Sequence, residues 1–109
     1  MTVEQLVSDL SLRVFAMPSP ERQICGGYVG DLLSWVMGRA KADDAWVTIM
    51  TNANTVAVAT LTDVSVVIIA ENSEISPDIV KLAEEKGVNL LGSSLSSYDL
   101  CVALGQRLP

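Results

Sequence analysis

The chain has no histidine, two cysteines and only five aromatic residues among 109. Without imidazole it lacks the commonest general base and a frequent metal ligand. Cys25 and Cys101 are far from CxxC spacing, and no histidine is present to complete a zinc site. A metal or dithiol role is therefore unsupported, and two reduced thiols with no cofactor are expected. Basic residues are also scarce: seven against thirteen acidic ones, a net charge of -6 and a pI near 4.3. That balance opposes a non-specific electrostatic grip on nucleic acid or anionic lipid. The longest apolar run, Val64 to Ala70, falls far short of the roughly 20 residues a membrane helix needs. The opening Met1-Thr2-Val3-Glu4 has neither the basic stretch nor the apolar run of a secretory signal, so a cytoplasmic location is expected.

What is present is aliphatic. Half the residues are hydrophobic, so a core must be built from Val, Ile, Leu, Ala and Met, within one domain spanning residues 1–109. Thr2 and Gln5 form a capping-box pattern ahead of Val3, Leu6, Val7 and Leu10, which predicts an opening helix. Val14 and Phe15 begin a brief strand that the Pro18-Ser19-Pro20 loop stops. Ile24 and Cys25 read as a second short strand entering a Gly26-Gly27 turn. Asp31 to Ala40 then carries Leu32, Leu33, Val36 and Met37 on one helical face.

Trp46 to Met50 reads as a strand, and Thr51-Asn52-Ala53-Asn54 supplies capping groups for the next segment. Thr55 to Leu61 is read as a buried helix, although its β-branched residues also fit a strand. The continuous apolar run from Val64 to Ala70 marks a central strand buried on both faces. Ser76-Pro77 opens a helix with Ile79, Val80, Leu82 and Ala83 inward, ended by Gly87. Val88 to Leu91 is a last strand, and Ser96 or Ser97 caps a final helix to Leu108. This alternation predicts an α/β fold: a single three-layer domain with a mostly parallel central sheet and helices on both faces.

Two segments are candidates for binding. In Glu21 to Asp31, ERQICGGYVGD, adjacent glycines permit positive φ and close backbone approach ahead of a helix, as in an anion cradle. The competing reading is a sharp chain turn, with Asp31 capping or charging the helix N-terminus. The segment lacks a complete GxGxxG, and no lysine follows as in GxxxxGK[ST], so neither nucleotide fingerprint is met. The second candidate is Thr48, Thr51, Asn52 and Asn54, where a strand ends and a helix begins, the place open α/β sheets use for ligands. Helix capping by either asparagine is the competing reading there. Ser93, Ser94, Ser96 and Ser97 are assigned no chemistry beyond turn and cap.

No nucleophile and base stand in a catalytic pattern, and Asp43-Asp44 and Glu84-Glu85 read as solvated pairs. The chain is expected not to be an enzyme. Trp35 lies off the apolar stripe of its helix and is a candidate interface anchor, whereas Trp46, inside a strand, reads as core.

The Glu21–Asp31 segment resembles the DRTGG-domain family, with Arg22, Gly26, Gly27 and Tyr28 standing at the family's named residues and following aromatic. Further blocks in order extend the resemblance over nearly the whole chain: GGYVGDLLSWVM, WVTIMTNANTVAVA, VVIIAE and LSSYDLCVAL. Glu21 replaces the usual Asp and keeps the charge; Cys25 replaces the usual Thr and loses a hydroxyl. The resemblance implies a compact α/β regulatory domain similar to the N-terminal domain of HPr kinase/phosphorylase. Such domains are found beside CBS domains in regulated pyrophosphatases, with phosphotransacetylases, or alone. It implies homodimerisation, with a small, nucleotide-like ligand or a partner enzyme. Arg22, Gly26, Gly27 and Tyr28 then join Thr51, Asn52 and Asn54 as candidate ligand-binding residues. The alternatives are an accessory phosphotransferase component related to HPr kinase, and a purely structural protein-interaction domain.

Overall fold

The structure, a computed structural model, describes residues 1–108. The elements run α1 (Val3–Leu10), β1 (Arg13–Ala16), β2 (Gly26–Val29), α2 (Leu33–Arg39), β3 (Asp44–Thr48), α3 (Ala53–Thr62), β4 (Val66–Ile69), α4 (Pro77–Lys86), β5 (Leu90–Gly92) and α5 (Ser97–Gly105). The strands form one sheet in the order β1-β5-β4-β3-β2. β2, β3, β4 and β5 are mutually parallel and β1 pairs antiparallel with β5, so the sheet is mixed.

From β2 to β5 every crossover steps in one direction across the sheet. Right-handed crossovers that all step one way place their helices on one face. α2, α3 and α4 accordingly share one core with Trp46, Val67, Ile69 and Leu90. The opposite face, carrying Ala45, Val47, Val66, Ile68 and Leu91, is covered by Val3 and Leu6 of α1 and by Leu100 and Leu104 of α5. The alternation of strand side chains divides the two cores residue by residue. β4 is central and wholly buried, as its continuous apolar run predicts. Trp46 is fully buried, and its indole N–H donates to the Gly30 carbonyl at 2.9 Å. A tryptophan side chain covers roughly 150–250 Å², which at about 25 cal/mol per Å² contributes roughly 4–6 kcal/mol.

The predicted boundaries of α1 hold, and both halves of its capping box form. The segment Thr55 to Leu61 is helical, within α3. Pro77 opens α4 and Gly87 closes it in the left-handed region, with φ of 72°. Of the inward residues predicted there, Ala83 is fully buried, while Ile79, Val80 and Leu82 pack partly exposed against the core.

Around the double glycine the structure corrects the sequence reading. Gly26 and Gly27 do not form a turn after a strand; they are the first two residues of β2, paired with Asp44 and Ala45. Neither has positive φ, a conformation taken instead by Ser11, Asp43, Asp63, Glu71, Asn72 and Gly87. The reason for glycine at 26 is space: a Cβ there would stand 2.9 Å from Asp44 Oδ1. Asp31 does not cap α2 either. Its carboxylate accepts from the Thr48 hydroxyl at 2.6 Å and the Ile49 N–H at 3.0 Å, and α2 starts later with Leu32 at the cap and no side-chain cap bond. The face of α2 is correspondingly rotated. Val36 is buried, with Leu33 and Ala40 packed beside it, while Leu32 and Met37 are exposed.

Candidate functional site

The sequence candidates fall into three places. Arg22 sits where the parallel strands begin. Its guanidinium pairs with Asp43 and Asp63, each at 3.0 Å, and also donates to the Asp63 carbonyl at 2.6 Å. Both aspartates adopt the left-handed conformation, Asp43 just before β3 and Asp63 at the C-cap of α3. Arg22 thus ties the chain entering β2 to the segments entering β3 and β4.

Thr51, Asn52 and Asn54 lie at the other end of the sheet, beyond the C-terminal end of β3. There Asn52 is the N-cap of α3, its side-chain oxygen accepting from the Asn54 N–H at 2.9 Å. The Thr55 hydroxyl donates to the Met50 carbonyl. Because all crossovers step one way, the parallel strands have no point at which their order reverses, the feature that opens a ligand crevice in doubly wound sheets. The length of the strands therefore separates Arg22 from Asn52.

Gly26, Gly27 and Tyr28 stay together, on the edge strand β2, and a cavity opens on each face of that edge. The α5 side holds one of about 300 Å³, lined by Gly27, Val29, Ala45, Val47, Cys101 and Leu108 among others. It exists because Gly27 offers no side chain and α5 stops short of covering β2. Burial raises the pKa of the Cys101 thiol there. The opposite side holds about 460 Å³, lined by Cys25, Gly26, Tyr28, Arg39, Lys41 and Asp44 among others. The Asp44 carboxylate accepts from the Lys41 backbone N–H at 2.8 Å, and the Arg39 guanidinium stacks 3.7 Å from the centre of the Trp35 ring. Trp35 is 52% exposed.

The sequence reading missed Arg39 and Lys41. The available signal was their isolation, since they are the only basic residues between Arg22 and Lys81. They place two positive charges beside the double glycine in a chain of net charge -6. A third cavity, about 520 Å³ and mainly apolar, lies between α3 and α4, lined by Val56, Leu61, Leu82 and Lys86 among others. No helix among the described residues is long and apolar enough to cross a membrane.

No family model matches the chain, and no curated protein matches it. Among solved structures it is similar to the CBS and DRTGG domains of the regulatory region of Clostridium perfringens pyrophosphatase, complexed with the activator diadenosine tetraphosphate. The TM-score is 0.76 at 16% identity, over 99% of this chain and 47% of that one. The chain thus spans about half the length of that structure. At the level of fold, the likeness bears out the resemblance to the DRTGG-domain family.

Proposed function

We propose that this DRTGG-like domain is a non-catalytic regulatory module that homodimerises and binds a small anionic, nucleotide-like ligand, through which it acts on a partner enzyme. The observation that carries the reading is the shared fold: the similar solved structure is part of an enzyme's regulatory region and holds a nucleotide activator. The geometry of β2 supports it. Gly26 and Tyr28 border a cavity whose Arg39 and Lys41 supply the positive charge a polyphosphate needs. Arg22 is already occupied by two carboxylates, and Asn52 by its cap, so in this reading both are structural supports rather than ligand contacts.

Native mass spectrometry with and without diadenosine tetraphosphate or ATP tests both halves together. The expected result is a dimer mass that gains nucleotide, with at least tenfold weaker uptake when Arg39 and Lys41 are both replaced by alanine. A chain that stays monomeric and takes up neither nucleotide at millimolar concentration would overturn the reading.

A further inference from the structure

The two edges of the sheet are built differently. β1 carries Arg13, has a register irregularity between Val14 and Ala16, and runs into Pro18. Charge, bulge and proline are the features that keep an edge strand from pairing with another chain. β2 has none of them. Gly26 to Val29 is uncharged, free of proline and in unbroken parallel register with β3. The Cys25 N–H donates to the Asp43 carbonyl just ahead of the two strands. The Gly30 N–H donates to the Val47 carbonyl and the Ala70 N–H to the Thr48 carbonyl. By the alternation of a strand Tyr28 therefore bonds to β3, and the N–H and C=O groups of Gly27 and Val29 turn outward without a partner in the sheet.

Exposed apolar side chains flank this bare edge on both faces. On the α5 side Val29 is 54% exposed and Tyr98 is 77% exposed, with Val102 one turn further along. Helical geometry sets Tyr98 next to Cys101 and Gly105, which line the groove over Gly27. On the other face stands Trp35, stacked on Arg39. The strand alone is too short for a stable interface, which takes roughly 800 Å² from each partner, and these side chains are the exposed apolar surface beside it from which the remainder would come.

We infer that β2 pairs antiparallel with β2 of a second copy of this chain, joining two five-stranded sheets into one across a two-fold axis. The inference rests on the homodimer half of the proposed function and assigns its surface. A two-fold axis perpendicular to the sheet keeps like faces together, so residues facing one another across the seam must point to the same face. Centring the axis on Tyr28 satisfies this and matches Tyr28 with Tyr28 as a non-hydrogen-bonded pair, with the hydrogen bonds across the seam made by Gly27 and Val29. It also sets Val29 of each copy opposite Gly27 of the other. The isopropyl group then fills space over the glycine, which answers why a groove is left there.

Charge favours a second copy over an unrelated strand. Arg39 and Lys41 border the beginning of β2, and Asp31 follows its end. Antiparallel pairing brings the basic end of each copy to the acidic end of the other, twice.

Sedimentation velocity across 1–200 μM, combined with amide hydrogen exchange by NMR, tests the seam. The wild type is expected to dimerise, and Val29→Lys to weaken the dimer at least tenfold. Val14→Lys on the opposite edge leaves it unchanged. In the wild-type dimer the Gly27 and Val29 amides are protected, and dilution to monomer releases them. This second readout needs no variant to fold. A dimer that forms equally well with Val29→Lys, or whose Gly27 and Val29 amides exchange freely, overturns the seam and leaves homodimerisation standing. A wild type monomeric at 200 μM overturns both.

Discussion

At Gly26 the obstacle to any side chain is the Asp44 carboxylate, which an added Cβ would meet at 2.9 Å, while at Gly27 the nearest atoms are Ala45 O at 3.6 Å and Leu108 Cδ1 at 3.8 Å. The first approach is closer than real Cβ atoms tolerate; the second is ordinary van der Waals contact. Asp44 is buried and held by the Lys41 N–H, so it yields only by giving up that bond. Gly26→Ala is therefore expected to lower stability by about 1–3 kcal/mol. Gly27→Ala should be neutral or slightly stabilising, since alanine costs less chain entropy in an extended segment. Thermal melts of the two variants side by side check the contrast, and equal losses would refute it. Sequence alone could not separate the two positions. A glycine pair is consistent with positive φ and with crowding, and the crowding carboxylate comes from a residue that pairs only once β3 lies beside β2.

At the scale of elements, the punctuation of helices was the most legible feature. Thr2 with Gln5, Ser96, and Pro77 with Gly87 each mark a helix boundary within about a residue, because a cap is a local interaction among neighbours in sequence. Asn52 belongs to this group, and its capping bond to the Asn54 N–H accounts for it without a ligand. Asn52→Ala is expected to cost about 1 kcal/mol in urea unfolding while leaving nucleotide uptake unchanged; weaker uptake would restore Asn52 to the binding site. The start of α2 was misread for the converse reason. Asp31 has the composition of a cap, but Thr48 and Ile49 compete for its carboxylate from a neighbouring strand. The apolar stripe of α2 was misassigned too, because its edge position on the sheet leaves Leu32 and Met37 uncovered.

For the whole molecule, layer architecture and the central place of β4 followed from hydrophobic patterning, whereas the location of the candidate site did not. Arg22 and Gly26 meet the consecutive residues Asp43 and Asp44 where β3 begins, whereas Asn52 lies beyond its far end, and Arg39 with Lys41 joins the double glycine through tertiary packing. Arg22 has its largest effect at this scale, since it holds three strand entries together. Its side chain is 27% exposed and its aspartate partners are more so, so solvent screens the ion pairs. Arg22→Met is expected to cost about 1–2 kcal/mol, combining weak surface pairs with the lost bond to the Asp63 carbonyl. Chemical denaturation in 0.05 M and 1 M salt should show a smaller loss at the higher concentration; a loss independent of salt would mean that packing dominates.

The one-way order of the crossovers has a consequence for synthesis. Three helices interleaved with the strands can close their side of the sheet as the chain emerges, each strand docking on the one before. The other side waits for α5, whose Leu100 and Leu104 complete the packing that Val3 and Leu6 begin. A ribosome presenting the chain up to β5 therefore displays a sheet finished on one side and half bare on the other, with β1 able to join its neighbour β5 only after nearly everything else has been made. α5 is the element that closes this side of the sheet, so the contacts between the domain's first and final helices, far apart in sequence, are expected to form late.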